Sequence, residues 1–169
     1  MPSAYFGKPS TGFQPGGTHI TVYLVPVFEG RLTVFDVAAR EARGRWLPWD
    51  VLDWGENPYE AASRLADQWC DVALNDLALA DVLSLPFDGE GWELAVIFRA
   101  ELASPAQGDA DRVPHLLGAG EFDAIGAFDP VDLERWVGGK GVPAAAGPDA
   151  GGLPPADAPE TPPGRRLLF

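Results

Sequence analysis

The sequence predicts an α+β domain in which a mixed β-sheet lies between helices, as an α/β/α sandwich. Residues 18–28 and 31–37 are runs of β-branched and aromatic residues joined by a two-residue turn, which is typical of a hairpin. Two segments with helix-start signals follow, at residues 57–58 and 129–130, and further strand-like runs lie between them. Strands interleaved with helices in a chain of 169 residues favour one layered domain.

The first helix has clear start signals. Proline is favoured at the first helical position because its missing N–H would have no partner there, so Pro58 marks the start. Asn57 is then the predicted N-cap, and Glu60 stands three residues later in the capping-box position. Good helix formers continue to Trp69. Glu60 and Arg64 are also spaced as a favourable i,i+4 ion pair.

The remaining elements follow from local composition. They are a strand at Arg43–Leu47, a strand edge or connector at Leu77–Leu85, a strand at Trp92–Ala100, a loop at Ala103–Gly120 and a strand at Ala124–Phe128. The last helix opens with Asp129 as its N-cap and Pro130 at its first position. We therefore expect an irregular N-terminal extension over residues 1–17, a domain over residues 18–138, and a flexible Gly/Pro/Ala-rich tail over residues 139–169.

Composition limits the class of partner and the compartment. The net charge of −13 argues against nucleic-acid binding, which needs cations to neutralise phosphates, and against an anionic membrane surface. The single cysteine, Cys70, excludes an intrachain disulfide, fits a reducing compartment and reads as a small packing residue. Residues 1–17 lack the apolar core of a signal peptide, and no apolar run has membrane-spanning length. We expect a cytoplasmic protein.

The most informative segment is Asp50–Val72. Within it, Glu56 and Arg64 are eight residues apart and Pro58 lies between them. This order and spacing resembles the Nudix box, the loop–helix motif of hydrolases that cleave nucleoside diphosphates linked to another group. The element order over residues 18–138 also resembles the Nudix fold, which implies a mixed sheet between helices. The resemblance further implies that Glu56 and Arg64 brace the loop against the helix.

The match to the Nudix pattern fails where the metal would bind. The pattern places three glutamates after the arginine, and these positions hold Leu65, Gln68 and Trp69. Its two glycines are replaced by Asp50 and Asp71. In the family, carboxylates on this helix hold Mg²⁺ against a pyrophosphate, and Mg²⁺ requires hard oxygen ligands. The sequence therefore predicts a degenerate box with little or no ordinary Nudix catalysis.

A ligand without a metal is one reading of the altered box. The candidate ligand-binding residues are Trp49, Trp69, Gln68, Arg43 and Arg45, with Arg40 beside them. The tryptophans offer flat faces for stacking a base, and both are expected near the former pyrophosphate position. Alternatively, they only fill the space left by metal and phosphate. The arginines offer bidentate phosphate contacts, although arginines at strand ends are commonly just solvated.

A rebuilt metal site is the enzymatic alternative. Glu121 lies in the late loop, from which many Nudix enzymes supply a further carboxylate. It would act with Glu60, or with Asp50 or Asp53 from the box loop, and Mg²⁺ would be the cofactor. The candidate catalytic residues of this alternative are Glu121, Glu60 and Glu56, of which Glu60 and Glu121 would hold the metal.

Three functions remain open from the sequence. The chain is an inactive or strongly impaired Nudix-like domain that binds a nucleotide-like ligand or a protein, a divergent Mg²⁺-dependent hydrolase of a nucleoside diphosphate derivative, or a structural interaction protein. The resemblance also implies a possible homodimer. The terminal segment Arg165–Phe169 either folds back on the acidic domain or serves as a docking peptide. It resembles sliding-clamp-binding peptides, except that Arg165 stands where those usually carry Gln.

Overall fold

A computed structural model describes residues 18–38, 44–53, 55–87 and 91–139 of the chain. The elements are β1 (Thr18–Phe28), β2 (Arg31–Val37), β3 (Gly44–Trp46), β4 (Trp49–Val51), α1 (Pro58–Trp69), β5 (Leu74–Phe87), β6 (Gly91–Leu102), β7 (Arg112–Leu117) and α2 (Pro130–Val137). The seven strands form one sheet in the order β3-β2-β1-β6-β5, with β4 paired to β1 and β7 paired to β2. Only the β1–β6 pair is parallel among these pairings.

The sheet is mixed and lies between two helices, which confirms the predicted α+β sandwich. On one face, α1 packs through Ala61, Ala62, Leu65 and Ala66 on side chains of β1 and β6. On the other face, α2 packs through Leu133 and Trp136. We call these the α1 face and the α2 face. Successive side chains of a strand point to opposite faces, so β1 contributes to both cores.

Local signals placed most of the early elements correctly. The hairpin strands β1 and β2 have the predicted bounds. Glu29 and Gly30 between them both have positive φ, of 51° and 74°, as the two-residue hairpin turn requires. At α1, the Asn57 side chain accepts a hydrogen bond from the Tyr59 N–H at 2.9 Å, and Glu60 accepts one from the Asn57 N–H at 3.4 Å. The predicted capping box is therefore confirmed.

The second helix and the cysteine also follow the sequence. The Asp129 side chain caps α2 by accepting a hydrogen bond from the Asp132 N–H at 2.9 Å. Cys70 is fully buried in the core beneath α1, and burial raises the pKa of its thiol to about 12. The thiol therefore stays protonated and packs as a small apolar group.

Four local predictions were wrong or incomplete. The predicted loop at Ala103–Gly120 contains the strand β7, and β4 inside the box loop was not predicted. The predicted strand at Ala124–Phe128 is a tight turn in which Ile125 and Phe128 bridge to each other. The predicted edge or connector at Leu77–Leu85 is part of a 14-residue strand. The strand predicted at Arg43–Leu47 spans Gly44–Trp46, and Arg43 itself lies outside the described residues.

No helix in the described part of the chain is long and apolar enough to cross a membrane.

Candidate functional site

The box loop is tied to α1 through one arginine. The Arg64 guanidinium donates to Glu56 through Nε at 2.9 Å and through Nη2 at 3.1 Å, and to Asp50 through Nη1 at 2.7 Å. Glu56 also accepts a hydrogen bond from the Asp53 N–H. The hydrogen bonds from Arg64 lower the pKa of Glu56, and both carboxylates raise the pKa of Arg64. The structure thus brings Glu56 and Arg64 together as a brace, with Asp50 as an additional partner.

This brace displaces two pairings suggested by helical spacing. The predicted i,i+4 ion pair between Glu60 and Arg64 is absent, because Glu60 turns back to cap α1 and Arg64 is already shared between Glu56 and Asp50. Asp67 is exposed and is likewise not an ion-pair partner of Arg64.

The three positions that follow the brace arginine on α1 present no carboxylate. Leu65 has 0% exposure and belongs to the core of the α1 face. Gln68 is exposed to solvent. The Trp69 ring packs edge-to-face on Phe35, with their centroids 5.4 Å apart. None of these groups supplies the charged oxygen ligands that Mg²⁺ prefers.

Arg112 of β7 lies over the Trp69 side chain of α1. The Arg112 guanidinium lies 5.0 Å from the centre of the Trp69 ring, within cation–π range. Arg112 is held there by Asp109, whose Oδ2 accepts from Nε at 2.9 Å. The same hydrogen bonds lower the pKa of Asp109. The sequence did not suggest Arg112, because β7 had been read as a loop.

The two candidate tryptophans lie on different faces of the sheet. Cross-strand partners share a face, and Asp50, the partner of Val22, reaches Arg64 on the α1 face. Its neighbour Trp49, the partner of Tyr23, is therefore on the α2 face. Trp69 packs on the α1 face. The expectation that both rings point to one site is therefore wrong.

The candidate phosphate-binding arginine Arg45 is engaged in an ion pair. Its Nε donates to Asp36 Oδ1 at 3.1 Å, while His115 Nε2 lies 2.9 Å from the other oxygen, Oδ2. These contacts, that of Arg45 first, lower the pKa of Asp36. An open cavity of about 430 Å³ beside them is lined by Asp36, Val37, Gly44, Arg45, Asp123 and Ala124. The other two candidates, Arg40 and Arg43, lie outside the described residues.

Comparison with solved structures identifies the architecture. A MutT Nudix hydrolase from Burkholderia pseudomallei superposes with a TM-score of 0.58 at 20% identity, covering 70% of this chain and 97% of that one. A MutT protein from Methanosarcina mazei Go1 gives 0.59 at 14% identity, with 74% and 96% covered. A Nudix hydrolase from Nitrosomonas europaea gives 0.57 at 17% identity, with 75% and 93% covered.

The chain has the Nudix fold. Sequence comparison adds nothing to this, since no protein-family model and no curated protein matches the chain. At these identities the structural likeness concerns the fold alone, so the chemistry of this Nudix-fold domain has to be argued from its own side chains.

The carboxylates proposed for a rebuilt metal site lie in separate local contacts of the Nudix fold. Glu121 accepts a hydrogen bond from the Gly118 N–H in its own loop. Glu60 caps α1. Within the described ranges, no group of three or more His, Cys, Asp or Glu side chains is placed to hold a metal ion.

A polar cluster that sequence reasoning missed lies on the α2 face of the Nudix sheet. Glu93 on β6 is only 7% exposed, and its Oε1 is buried without a hydrogen-bond partner. Its cross-strand neighbour on β1 is His19, and the Tyr23 hydroxyl lies nearby on the same face. Burial, and then the Glu93 carboxylate, raise the pKa of Tyr23, while burial lowers the pKa of His19.

One signal for this cluster was present in the sequence. Glu93 is the only charged residue in the apolar run Trp92–Phe98, and strand alternation places it with the buried Ala95 and Ile97. A carboxylate directed to a core face requires a partner, because a buried unpaired charge is costly.

Proposed function

We propose that this chain is a Nudix-fold binding domain that does not hydrolyse its ligand and binds it without a metal. The observation that carries the proposal is the packing of the box helix. Leu65 has 0% exposure, and Trp69 lies between Phe35 and the Arg112 guanidinium. A catalytic metal would need charged oxygens where these apolar groups are packed.

We further propose that the ligand lacks a diphosphate, because the arginines in the described part of the chain are already engaged. A diphosphate held without a metal needs arginine or lysine donors. The described part of the chain contains six arginines and no lysine. Five of them are in ion pairs with carboxylates, and Arg31 donates to the Leu116 carbonyl. Within the described ranges, a diphosphate bound through these six arginines would compete with their present contacts, in a chain whose net charge is −13.

An uncharged nucleoside-like ligand fits the polar cluster on the α2 face. The free Oε1 of Glu93 is an acceptor that requires an N–H donor, and the amino and imino groups of nucleobases supply one. The Tyr23 hydroxyl is hydrogen-bonded to the Glu93 carboxylate, and the Tyr23 ring packs edge-to-face on Phe128 at a centroid distance of 4.9 Å. Aromatic walls beside a buried acceptor are typical of sites for flat heterocycles.

Ligand-induced stabilisation of the full-length protein tests the proposal. The four common nucleosides and the matching nucleoside diphosphates are compared by thermal unfolding and calorimetry, with Mg²⁺ and with EDTA. We expect at least one nucleoside to raise Tm equally under both conditions, and its diphosphate to bind no more tightly. Glu93→Gln should weaken binding at least tenfold. Glu134→Gln, which alters an exposed glutamate on α2, is the control.

A turnover assay separates this proposal from the hydrolase alternative. A panel of nucleoside diphosphate derivatives is incubated with Mg²⁺ or Mn²⁺, and the release of phosphate or nucleotide is measured for the wild type, Glu56→Gln and Glu121→Gln. We expect no turnover. Metal-dependent turnover that is lost in Glu121→Gln would establish a rebuilt metal site and overturn the proposal. The cytoplasmic location expected from the sequence is part of the proposal and is checked by cell fractionation.

A further inference from the structure

The exposed apolar side chains of the domain are concentrated on one surface. In the described ranges, six large hydrophobic side chains are strongly exposed: Tyr59 at 50%, Leu79 at 48%, Val82 at 48%, Trp92 at 42%, Val113 at 48% and Val131 at 72%. The first four lie together on the outer part of the α1 face. We call them the β5–β6 surface. Contiguous apolar patches of this kind mark interaction sites, whereas scattered single residues do not.

Strand register places these four residues on one face, with Trp92 about 20 Å along β6 from Phe98 at about 3.3 Å per residue. On β5, Leu79 pairs with Phe98 and Val82 pairs with Val96. The Tyr59 ring packs on the Phe98 ring at a centroid distance of 4.7 Å. Trp92 lies on the same strand as Phe98 and, by alternation, on the same face. The surface therefore runs from the start of α1 across the outer two strands of the sheet.

The helix leaves this part of the sheet uncovered. The buried face of α1 packs mainly on β1 and touches β5 and β6 less, and among the described strands β5 pairs with β6 alone. The β5 and β6 side chains directed to this face are uncharged; they are Leu77, Leu79, Val82, Ser84, Trp92, Leu94 and Val96. In a chain with a net charge of −13, this neutral region beside an open strand edge is set apart from the remaining surface.

We propose that the C-terminal segment Arg165–Phe169 of the same chain covers the β5–β6 surface. Leu167, Leu168 and Phe169 supply the apolar contacts. Arg165 and Arg166 supply positive charge toward an acidic domain, and the exposed Glu60 lies next to Tyr59 at the rim. The segment itself lies outside the described residues, so the proposal rests on its chemistry and on the surface that fits it.

The length of chain between α2 and the segment permits this contact. Residues 140–164 can span at most about 80 Å at about 3.3 Å per residue. A flexible coil of 25 residues averages about 28 Å end to end. A domain of this size has a radius of gyration of about 14 Å, so the tail can pass from the end of α2 to the opposite face. Tethering also gives the segment an effective concentration in the millimolar range.

Hydrogen exchange on the full chain tests the proposal. We compare the wild type with a chain lacking residues 165–169, and then add the synthetic peptide Arg-Arg-Leu-Leu-Phe to the shortened chain. Deletion should raise amide exchange in β5 and around Tyr59, and the peptide should restore protection there. Unchanged exchange in β5 on deletion would overturn the proposal.

A matched pair of substitutions locates the contact. Val82→Glu places a charge in the β5–β6 surface, whereas Val113→Glu changes an equally exposed valine on β7. Peptide affinity for the shortened chain should fall at least tenfold in Val82→Glu and remain unchanged in Val113→Glu. Equal affinity in both variants would overturn the proposal.

Light scattering distinguishes the competing occupant. If the wild type is a dimer that Val82→Glu dissociates while deletion of residues 165–169 does not, the surface is an interface between two copies and the proposal is wrong. Nucleoside stabilisation is measured on the same variants. Glu93 lies on the other face of the sheet. Loss or retention of nucleoside stabilisation in these variants therefore tests the proposed function separately from the tail contact.

Discussion

Charged side chains are arranged differently on the two faces of the sheet. On the α1 face, Leu65 and Trp69 pack as apolar groups and Gln68 is exposed. Three charged residues of the box, Glu56, Arg64 and Asp50, are paired in the brace. On the α2 face, two carboxylates are buried. One of them, Asp81 on β5, accepts hydrogen bonds from Arg135 and from Trp136 Nε1. The other, Glu93, keeps one oxygen without a partner.

This difference is the reason why we propose the α2 face as the ligand-binding face. A satisfied buried carboxylate such as Asp81 is part of the scaffold, because its charge is compensated within the fold. Glu93 shares a hydrogen bond with Tyr23, but its Oε1 has no partner, and this oxygen carries a cost that an incoming donor would remove. The brace on the α1 face ties the box loop to α1 without any metal ligand.

The largest loss of stability is expected from placing a glutamate in the core of the α1 face. Leu65→Glu loses a fully buried side chain and places a carboxylate in the core, so we expect the free energy of unfolding to fall by about 5 kcal/mol. Urea unfolding measures the change. Gln68→Glu is the control, and because Gln68 is exposed it should alter stability by less than about 0.5 kcal/mol. A stable Leu65→Glu variant that binds Mg²⁺ would contradict the prediction that the core of the α1 face cannot hold a carboxylate.

The second effect concerns the paired carboxylate of the α2 face. Asp81→Ala leaves Arg135 and the Trp136 N–H without their buried acceptor, and we expect a loss of about 3 kcal/mol. Asp132→Ala removes the more exposed partner of the same arginine and should cost less than about 1 kcal/mol. Both values come from the same unfolding assay. Equal losses would show that the burial of Asp81 does not increase its contribution to the free energy of unfolding.

The smallest effect tests the brace and its pH dependence. Glu56→Gln removes a charge-assisted pair of hydrogen bonds, which should cost about 2 kcal/mol at pH 7. The pKa of Glu56 is lowered in the folded state, so its contribution is complete above its unfolded value near 4.5 and is lost as pH falls through the folded value. The wild type and the variant should therefore converge in stability as the pH falls through the lowered pKa of Glu56. A difference independent of pH would contradict this.

The parts of the fold that sequence predicted are those with local causes. The hairpin follows from β-branched runs around Glu29-Gly30, and both helices follow from a cap and a proline within three residues. The strands β4 and β7 were missed because their partners, β1 and β2, are distant in sequence. Pairing with a remote strand stabilises segments whose own composition does not favour a strand.

The features of the candidate site also divide into those that sequence predicted and those that it did not. Sequence alone determined that α1 begins at Pro58, that Glu56 and Arg64 are spaced for a brace, and that Leu65, Gln68 and Trp69 supply no carboxylate. Tertiary structure decided that Arg112 covers Trp69, that Trp49 lies on the other face, and that Glu93 is buried with a free oxygen. The first set depends on spacing along one loop and helix. The second depends on which strands meet across the sheet, and side-chain burial is decided only there.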